Sequence, residues 1–283
     1  MSVSLGTPLP IGAAISNFVE YLTVNFTGFF NGITNGIHYL IAGLESFLVD
    51  IPPALFIVLI AALGLWLGGW RRRGTWGLVA FIVLGLLLVM NVQYWDAMME
   101  TLALVLAAEV LVLIIGLPLG IVGGWNDVAQ SIMRPVLDVM QTMPAFVYLV
   151  PAVIFFGLGL VPGVISTVIF AIPPLIRLTS LGIRQVPHEV VEASRSFGST
   201  RWQMLFKVQL PMALPSVMAG VNQSIMLGLS MVVIAAMIGA GGLGNVVLQG
   251  ITQLDVGKGF VGGLMIVILA IILDRITQFL GRH

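Results

Sequence analysis

The sequence contains little charge and no cysteine. Of its 283 residues, 12 are basic and 12 are acidic, which makes 8% charged, whereas 59% are hydrophobic. The mean hydropathy is +1.09. Soluble domains carry about 25% charged residues, so this composition excludes an ordinary soluble protein. The zero net charge gives no reason to expect nucleic-acid binding, and the absence of cysteine excludes disulfides, iron–sulfur sites and thiol catalysis.

Sequence motifs for nucleotide or metal chemistry are also missing. The nearest approach to a phosphate-binding loop is Gly257-Lys258-Gly259, which has the wrong form. The three histidines, His38, His188 and His283, are scattered, and none stands near other metal ligands at a suitable spacing. We therefore expect no catalytic site, no metal site and no ATP hydrolysis by this chain alone.

Long apolar segments predict an all-α integral membrane protein. A transmembrane helix requires about 20 largely apolar residues. Seven segments meet this requirement and are the predicted spans: Ile51–Trp70, Trp76–Trp95, Ala97–Val122, Met143–Leu160, Gly163–Leu181, Ser216–Ala240 and Phe260–Ile276. The Gly-rich turn signal at 157–163 separates the fourth span from the fifth.

The distribution of Lys and Arg predicts the orientation of these spans. With the amino terminus outside, the spans place 11 basic residues on one side of the membrane and only Lys258 on the other. The 11 are Arg71, Arg72, Arg73, Arg134, Arg177, Arg184, Arg195, Arg201, Lys207, Arg275 and Arg282. Because Lys and Arg in short loops stay on the cytoplasmic side, the sequence predicts an external amino terminus and a cytoplasmic carboxyl terminus.

The first 50 residues contain no Lys or Arg, as expected of an external segment. Apolar residues recur there at intervals of three and four, which predicts one or two amphipathic helices at the external membrane interface. Gly28, Gly32 and Gly36 form a small-residue stripe that allows another helix to approach closely; a plain interfacial anchor fits the pattern equally well. We therefore divide the chain into an external amphipathic segment, 1–50, and a transmembrane domain, 51–283.

The cytoplasmic segment 185–215 differs from the short polar connectors elsewhere. A first helix is expected to end at Gly198. Thr200 and Gln203 then form a capping-box signal for a second short helix, which Pro211 is expected to close. The segment has more apolar residues than two exposed helices need, so some are expected to pack against the membrane helices or another subunit.

Within this hairpin, Glu192-Ala193-Ser194, Gly198 and Val208-x-Leu210-Pro211 resemble the E-A-A-x3-G-x9-I-x-L-P loop of ABC importer permeases. Ser194 replaces the second Ala and Val208 replaces Ile, while the spacing is intact. The resemblance implies a type I ABC importer permease whose coupling helix docks on a cytoplasmic ATPase and transmits its closure to the membrane helices. The implied ATPase-coupling residues are Glu192, Ala193, Ser194, Gly198, Val208, Leu210 and Pro211.

The run 207–250 is also similar to permeases that import glycine betaine, proline betaine, choline and related osmoprotectants. This narrower resemblance implies the membrane-spanning subunit of an ATP-driven importer for quaternary amines in a bacterial plasma membrane. It implies two cytoplasmic ATPase subunits, which bind ATP and magnesium, and a separate substrate-binding protein, since no receptor is fused to the spans. One set of spans supplies half of a two-fold pathway, so a homodimer is the simplest complete assembly.

Polar residues inside the spans are candidates for the translocation pathway. Glu109 lies near the middle of the third span, where facing lipid costs roughly 3 kcal/mol. It is expected to face the bundle, either in a structural hydrogen bond to a neighbouring helix or along a cation pathway. The candidates on the sixth span, which serve the pathway or simply join helices, are Asn222, Gln223, Met226 and Ser230. The Gly-rich stretch 239–244 is interpreted as a flexible exit from that span or an ordinary connector.

Other functions compete with this interpretation. An ABC permease for an amino acid such as histidine shares the same loop, and the sequence does not specify which amine is carried. An ion-coupled secondary transporter commonly contains an internal repeat, and none is evident. A secondary transporter, a channel or a membrane scaffold also leaves the importer-like spacing of the hairpin unexplained.

Overall fold

The computed structural model describes residues 11–69 and 73–281, which form helices and turns without strands. The first seven helices are α1 (Ile11–Asn25), α2 (Thr27–Val49), α3 (Pro53–Gly68), α4 (Arg73–Asn91), α5 (Trp95–Trp125), α6 (Asp127–Thr142) and α7 (Phe146–Phe156). The remaining ones are α8 (Leu160–Arg184), α9 (His188–Ser196), α10 (Arg201–Met204), α11 (Leu210–Ala236), α12 (Gly242–Thr252) and α13 (Val256–Leu280). A π-helical turn, Leu205–Gln209, joins α10 to α11.

Five helical segments within the described ranges are long and apolar enough to cross a membrane. They contain α4, α5, α8, α11 and α13, and they confirm five of the predicted spans. Two further pairs, α2 with α3 and α6 with α7, meet the same test together but are bent by 98° and 101°. Counting each bent pair as one span gives seven, so the all-α class with about seven spans is confirmed.

The predicted spans 51–70 and 143–160 are not single straight helices. They fall on α3, which has 16 residues, and on α7, which has 11, and each is the second half of a bent pair; Trp70 lies outside the described residues. The apolar sequences of α3 and α7 predict both helices. The sequence does not predict α6, because Asp127, Arg134 and Asp138 interrupt its apolar pattern. The separation of α7 from α8 is confirmed: Gly157 and Gly159 have φ of 79° and 120°, values that favour glycine.

The core of the bundle is formed by α5, α8 and α11. Small residues allow these helices to approach closely. A Cβ atom at Gly120 of α5 would lie 2.6 Å from Cβ of Thr179 on α8. A Cβ atom at Gly220 of α11 would lie 3.1 Å from Cα of Leu175. The backbone of α8 therefore lies in close contact with α5 on one side and with α11 on the other.

The amino-terminal segment forms α1 and α2, as its apolar spacing predicted. Ile37, Ile41 and Leu48 of α2 are buried, and Phe30 stacks on Phe155 of α7 with ring centroids 4.8 Å apart. The glycine stripe at positions 28, 32 and 36 has no atoms within 4 Å of the added Cβ positions. Among the described residues, no other helix therefore packs on the stripe, and the external location of 1–50 stays a prediction.

The Gly-rich stretch after α11 forms a turn into a further helix. Gly239, Gly241 and Gly242 have φ between 65° and 88°, and they turn the chain into α12, a helix that was not predicted. A Cβ atom at Gly244 would clash with the carbonyl group of Val232. The glycines therefore serve turning and close packing, which a sequence interpretation based on flexibility did not anticipate.

Candidate functional site

The hairpin that the sequence places on the cytoplasmic side consists of α9, a tight turn at Gly198, and α10. Gly198 has φ of 77°, and no atom lies within 4 Å of a Cβ added there. The turn is closed by the backbone N–H of Ser199, which donates to the carbonyl of Ser194 at 3.2 Å. The predicted end of the first helix is confirmed, and glycine is required there for its backbone conformation rather than for space.

The second helix begins with the predicted capping box. The Thr200 hydroxyl accepts from the Gln203 backbone N–H at 3.3 Å, and the Gln203 side chain accepts from the Thr200 N–H at 2.9 Å. The expectation that Pro211 closes this helix is wrong. The chain continues as one 36-residue helical segment, Arg201–Ala236, because Pro211 lies in the first turn of α11, where a missing N–H is tolerated. The hairpin and the sixth predicted span are therefore mechanically continuous.

Large apolar side chains cover the hairpin. Phe197 is 91% exposed, Trp202 65% and Phe206 58%. Trp202 and Phe206 stack with ring centroids 6.1 Å apart, so they present one continuous apolar surface. Leu205, by contrast, is 1% exposed and packs into the membrane domain. Exposed apolar patches of this kind mark sites of contact with another protein or with the membrane.

The motif residues divide by position in the hairpin. Glu192 and Ala193 are exposed on α9, and Gly198 forms the turn. The Ser194 hydroxyl donates to the Ser199 hydroxyl at 3.0 Å, which fixes the turn from inside. The remaining motif residues, Val208, Leu210 and Pro211, lie at the start of the long helix that leads into the membrane. One part of the motif therefore faces outward from the bundle while the other connects to it.

The root of the hairpin is joined to α5 by a contact that the sequence did not reveal. The indole Nε1 of Trp125, the last residue of α5, donates to Oε1 of Gln209 at 2.8 Å. Gln209 is 8% exposed and lies in the π-helical turn. Trp125 also packs edge-on against Trp202, with ring centroids 5.6 Å apart. Trp125 and Gln209 are separated by 84 positions in the sequence, and no local sequence pattern connects them.

The preceding helix α8 is joined to the same end of α5. The Arg184 guanidinium donates to the carbonyl of Gly123 at 2.7 Å and pairs with Asp127 of α6 at 2.6 Å. A Cβ atom at Gly124 would lie 2.9 Å from Cβ of Ile183, so the backbones are in close contact. Both ends of the hairpin therefore connect to α5.

Glu109 faces the inside of the bundle, as predicted, and forms a hydrogen bond to a neighbouring helix. Its side chain is 7% exposed, and Oε1 accepts a hydrogen bond from the Ser224 hydroxyl of α11 at 2.8 Å. Glu100 accepts instead from the backbone N–H of Gly242 at 2.8 Å, so the two carboxylates do not pair, as predicted. Together with Trp125, these contacts join α5 to the α11–α12 unit at three depths.

The structure separates the candidate pathway residues of α11. Asn222 faces α13, where its Nδ2 donates to Asp274 at 2.8 Å and its Oδ1 accepts from Thr277 at 2.8 Å. The other three candidates, Gln223, Met226 and Ser230, are exposed within the chain and share one face of α11. Asn222 thus connects helices, whereas the other three lie together on an exposed face of α11, and their pathway role stays a prediction. In the part of the chain that the structure describes, no group of three His, Asp or Glu residues is arranged to hold a metal.

These features define a class: an all-helical, multi-pass membrane subunit with a hairpin that exposes large apolar side chains. Residues 116–283 match the family described as binding-protein-dependent transport system inner membrane component. The match covers more than half of the chain, so the protein belongs to this family, the permease subunits of ABC importers. Permeases of this family are not enzymes, and they act with ATPase and substrate-binding subunits.

Relatives of known name cover almost the entire chain. The glycine betaine/carnitine transport permease protein GbuB of Listeria monocytogenes serotype 1/2a is 54% identical over 97% of this chain and 96% of its own length. The glycine betaine transport system permease protein OpuAB of Bacillus subtilis is 50% identical over 95% and 94%. The glycine betaine/proline betaine permease ProW of Escherichia coli is 49% identical over 98% of this chain and 76% of its own.

Solved structures show the same fold. An inward-facing form of the MetNI methionine ABC transporter superposes with a TM-score of 0.56, covering 65% of this chain and 90% of that one. The sequence identity is 24%, so this comparison supports the fold and carries no information on substrate.

Proposed function

We propose that this chain forms the translocation pathway of an ATP-driven importer for quaternary ammonium osmoprotectants such as glycine betaine. The observation that carries the proposal is the hairpin: it exposes Phe197, Trp202 and Phe206 and continues without a break into α11. Identities near 50% to permeases named for glycine betaine support the substrate class. The amino-acid alternative has support only at the level of the fold.

In this proposal the ATPase docks on the hairpin. When the ATPase closes, it moves the hairpin and, with it, α11. The motif residues Glu192, Ala193, Ser194 and Gly198 form the docking element, while Val208, Leu210 and Pro211 transmit the movement. Nucleotide and magnesium are bound by the ATPase subunits. Gln223, Met226 and Ser230 contribute to the pathway between two copies of the chain, because they share an exposed face of α11 that includes two polar side chains.

The assembly is a homodimer with two ATPase subunits inside and a substrate-binding protein outside. The 11 to 1 distribution of basic residues supports this orientation. Reporter fusions at residues 10 and 283 are expected to lie outside and inside the membrane, respectively. Both reporters on the same side would contradict the orientation.

Reconstitution tests the function. Vesicles containing this chain, its ATPase and its binding protein are expected to accumulate radiolabelled glycine betaine only when ATP is supplied on the hairpin side. Vesicles without the ATPase give the baseline, and histidine is the competing substrate. Uptake of histidine but not of a quaternary amine would overturn the substrate class, and uptake driven by an ion gradient without ATP would overturn the mechanism.

A further inference from the structure

A cavity between α6 and α8 is not explained by the coupling function. Its volume is about 190 Å³, and it lies near the end of α8 that leads into the hairpin. Its polar lining consists of Gln130, Arg134, Arg177 and Ser180. The remaining lining residues are apolar, so the polar groups are concentrated at one place between the two helices.

Two residues that line this cavity each have a polar atom that is buried without a protein partner. Ser180 is 5% exposed, and its Oγ forms no hydrogen bond to any described residue. The Nε of Arg177 is likewise buried and unpaired within the described chain. Burying polar groups without a partner is unfavourable. Both atoms are shielded from the cavity itself, so the charged groups that a ligand can reach there are Arg134 and the exposed part of the Arg177 side chain.

The charge balance favours an anion. Arg177 pairs through Nη2 with Asp138, and Arg184 pairs with Asp127. Arg134 is exposed and forms no ion pair among the described residues. The facing surfaces of α6 and α8 therefore carry three arginines against two aspartates, and the unbalanced positive charge is located at the cavity.

A second, apolar groove continues from this cavity along the same helices. Its volume is about 360 Å³, and it shares Met133, Leu137 and Ile176 with the polar cavity. All of its lining residues are aliphatic or methionine, among them Val136, which is 56% exposed, and Ile172. Two basic side chains at one end and a long apolar groove beyond them match an amphiphile with an anionic head.

We propose that this site binds one acidic membrane phospholipid, with its phosphate at Arg134 and Arg177 and one acyl chain in the apolar groove. Basic pockets between membrane helices on the cytoplasmic side bind such headgroups. A quaternary ammonium substrate is disfavoured because its cation is recognised by aromatic rings, and no aromatic residue lines either cavity. The inference goes beyond the proposed function, and it rests only on membrane insertion of the chain.

Native mass spectrometry of the purified full chain in a neutral detergent tests the headgroup site. Phosphatidylglycerol and phosphatidylcholine with identical acyl chains are titrated separately. We expect preferential retention of phosphatidylglycerol, and we expect Arg134→Gln to weaken that binding by about tenfold, because a charge-assisted hydrogen bond is lost. Arg275→Gln removes an equal charge elsewhere and is expected to bind as the unmodified chain does.

The acyl groove is tested on the same helix. Val136→Trp fills the groove and is expected to weaken binding of both phospholipids, whereas Val139→Trp is the matched control, since Val139 is equally exposed at 56% and does not line the groove. Inorganic phosphate at millimolar concentration is not expected to displace the lipid. Equal effects of Arg134→Gln and Arg275→Gln, or equal effects of the two tryptophans, would overturn the proposal.

Two further outcomes also overturn it. Displacement of phosphatidylglycerol by glycine betaine would assign the cavity to the transported substrate. Loss of a dimer in Val136→Trp, with lipid binding unchanged, would assign the groove to a second copy of the chain. Neither result requires the ATPase or the binding protein, so the lipid site is tested separately from the importer function.

Discussion

The indole of Trp125 donates a hydrogen bond to the buried side chain of Gln209, 2.8 Å away, and this bond joins the end of α5 to the root of the hairpin. Movement of the hairpin therefore acts on α5 as well as on α11. Glu109 with Ser224 extends the connection to the middle of the bundle, and Glu100 with Gly242 extends it to the far end. We therefore expect α5 and α11 to move together as one rigid body.

Trp125→Phe removes the indole N–H and keeps an aromatic ring against Trp202. Because Gln209 is left buried without its donor, we expect a loss of about 1 kcal/mol in the free energy of unfolding. We also expect fewer substrate molecules imported per ATP. Trp66→Phe is the control, since Trp66 is 77% exposed on α3. Unchanged coupling in Trp125→Phe would show that α5 does not take part in transmission.

Ser224→Ala removes the donor to Glu109 in the middle of the membrane. Hydrogen bonds between membrane helices contribute about 0.6 kcal/mol to stability on average and up to about 1.7 kcal/mol. We therefore expect the free energy of unfolding to fall by an amount within that range. Denaturant unfolding in detergent micelles measures it. Ser230→Ala serves for comparison, since its hydroxyl donates only to Met226 of its own helix. Equal stabilities of the two variants would contradict a structural role for the Glu109 contact.

Gly244→Ala tests the packing of α12. The added methyl group clashes with the carbonyl group of Val232, and overpacking of this kind costs about 1–3 kcal/mol. Gly263→Ala, on α13, has no atom within 4 Å of its added Cβ and is expected to be neutral or slightly stabilising. Thermal unfolding of both variants measures the difference. A normal melting temperature for Gly244→Ala would contradict close packing there.

The sequence predicted the long spans because their hydropathy is a property of each segment alone. It predicted the turn at Gly198 and the cap at Thr200 because these signals occupy a few adjacent residues. It did not predict α6, whose charged residues interrupt its apolar pattern, or α12, because its glycines are equally typical of a flexible connector. The Trp125–Gln209 bond joins positions distant in the chain, so only the fold could reveal it.

Gly198→Val tests the turn of the hairpin. Because φ is 77° and the surrounding space is open, the expected defect arises from backbone strain, of order 1–2 kcal/mol, and not from steric crowding. Gly43→Val, at an equally open position inside α2, is the comparison. We expect normal membrane insertion for both and reduced recovery of the ATPase complex for Gly198→Val only. Equal recovery of the complex for both variants would contradict the need for this turn.

The most direct test of the account is the number of glycine betaine molecules imported per ATP hydrolysed by vesicles containing Ala193→Trp. Ala193 is exposed on α9, so a bulky side chain there blocks docking without disturbing the fold of the chain. Ala80→Trp, exposed on α4, adds the same bulk away from the hairpin. We expect both variants to insert normally into the membrane. For Ala193→Trp alone, we expect the number of molecules imported per ATP to fall at least about tenfold, or the ATPase to dissociate. Full coupling in Ala193→Trp would contradict the assignment of the hairpin as the transmission element.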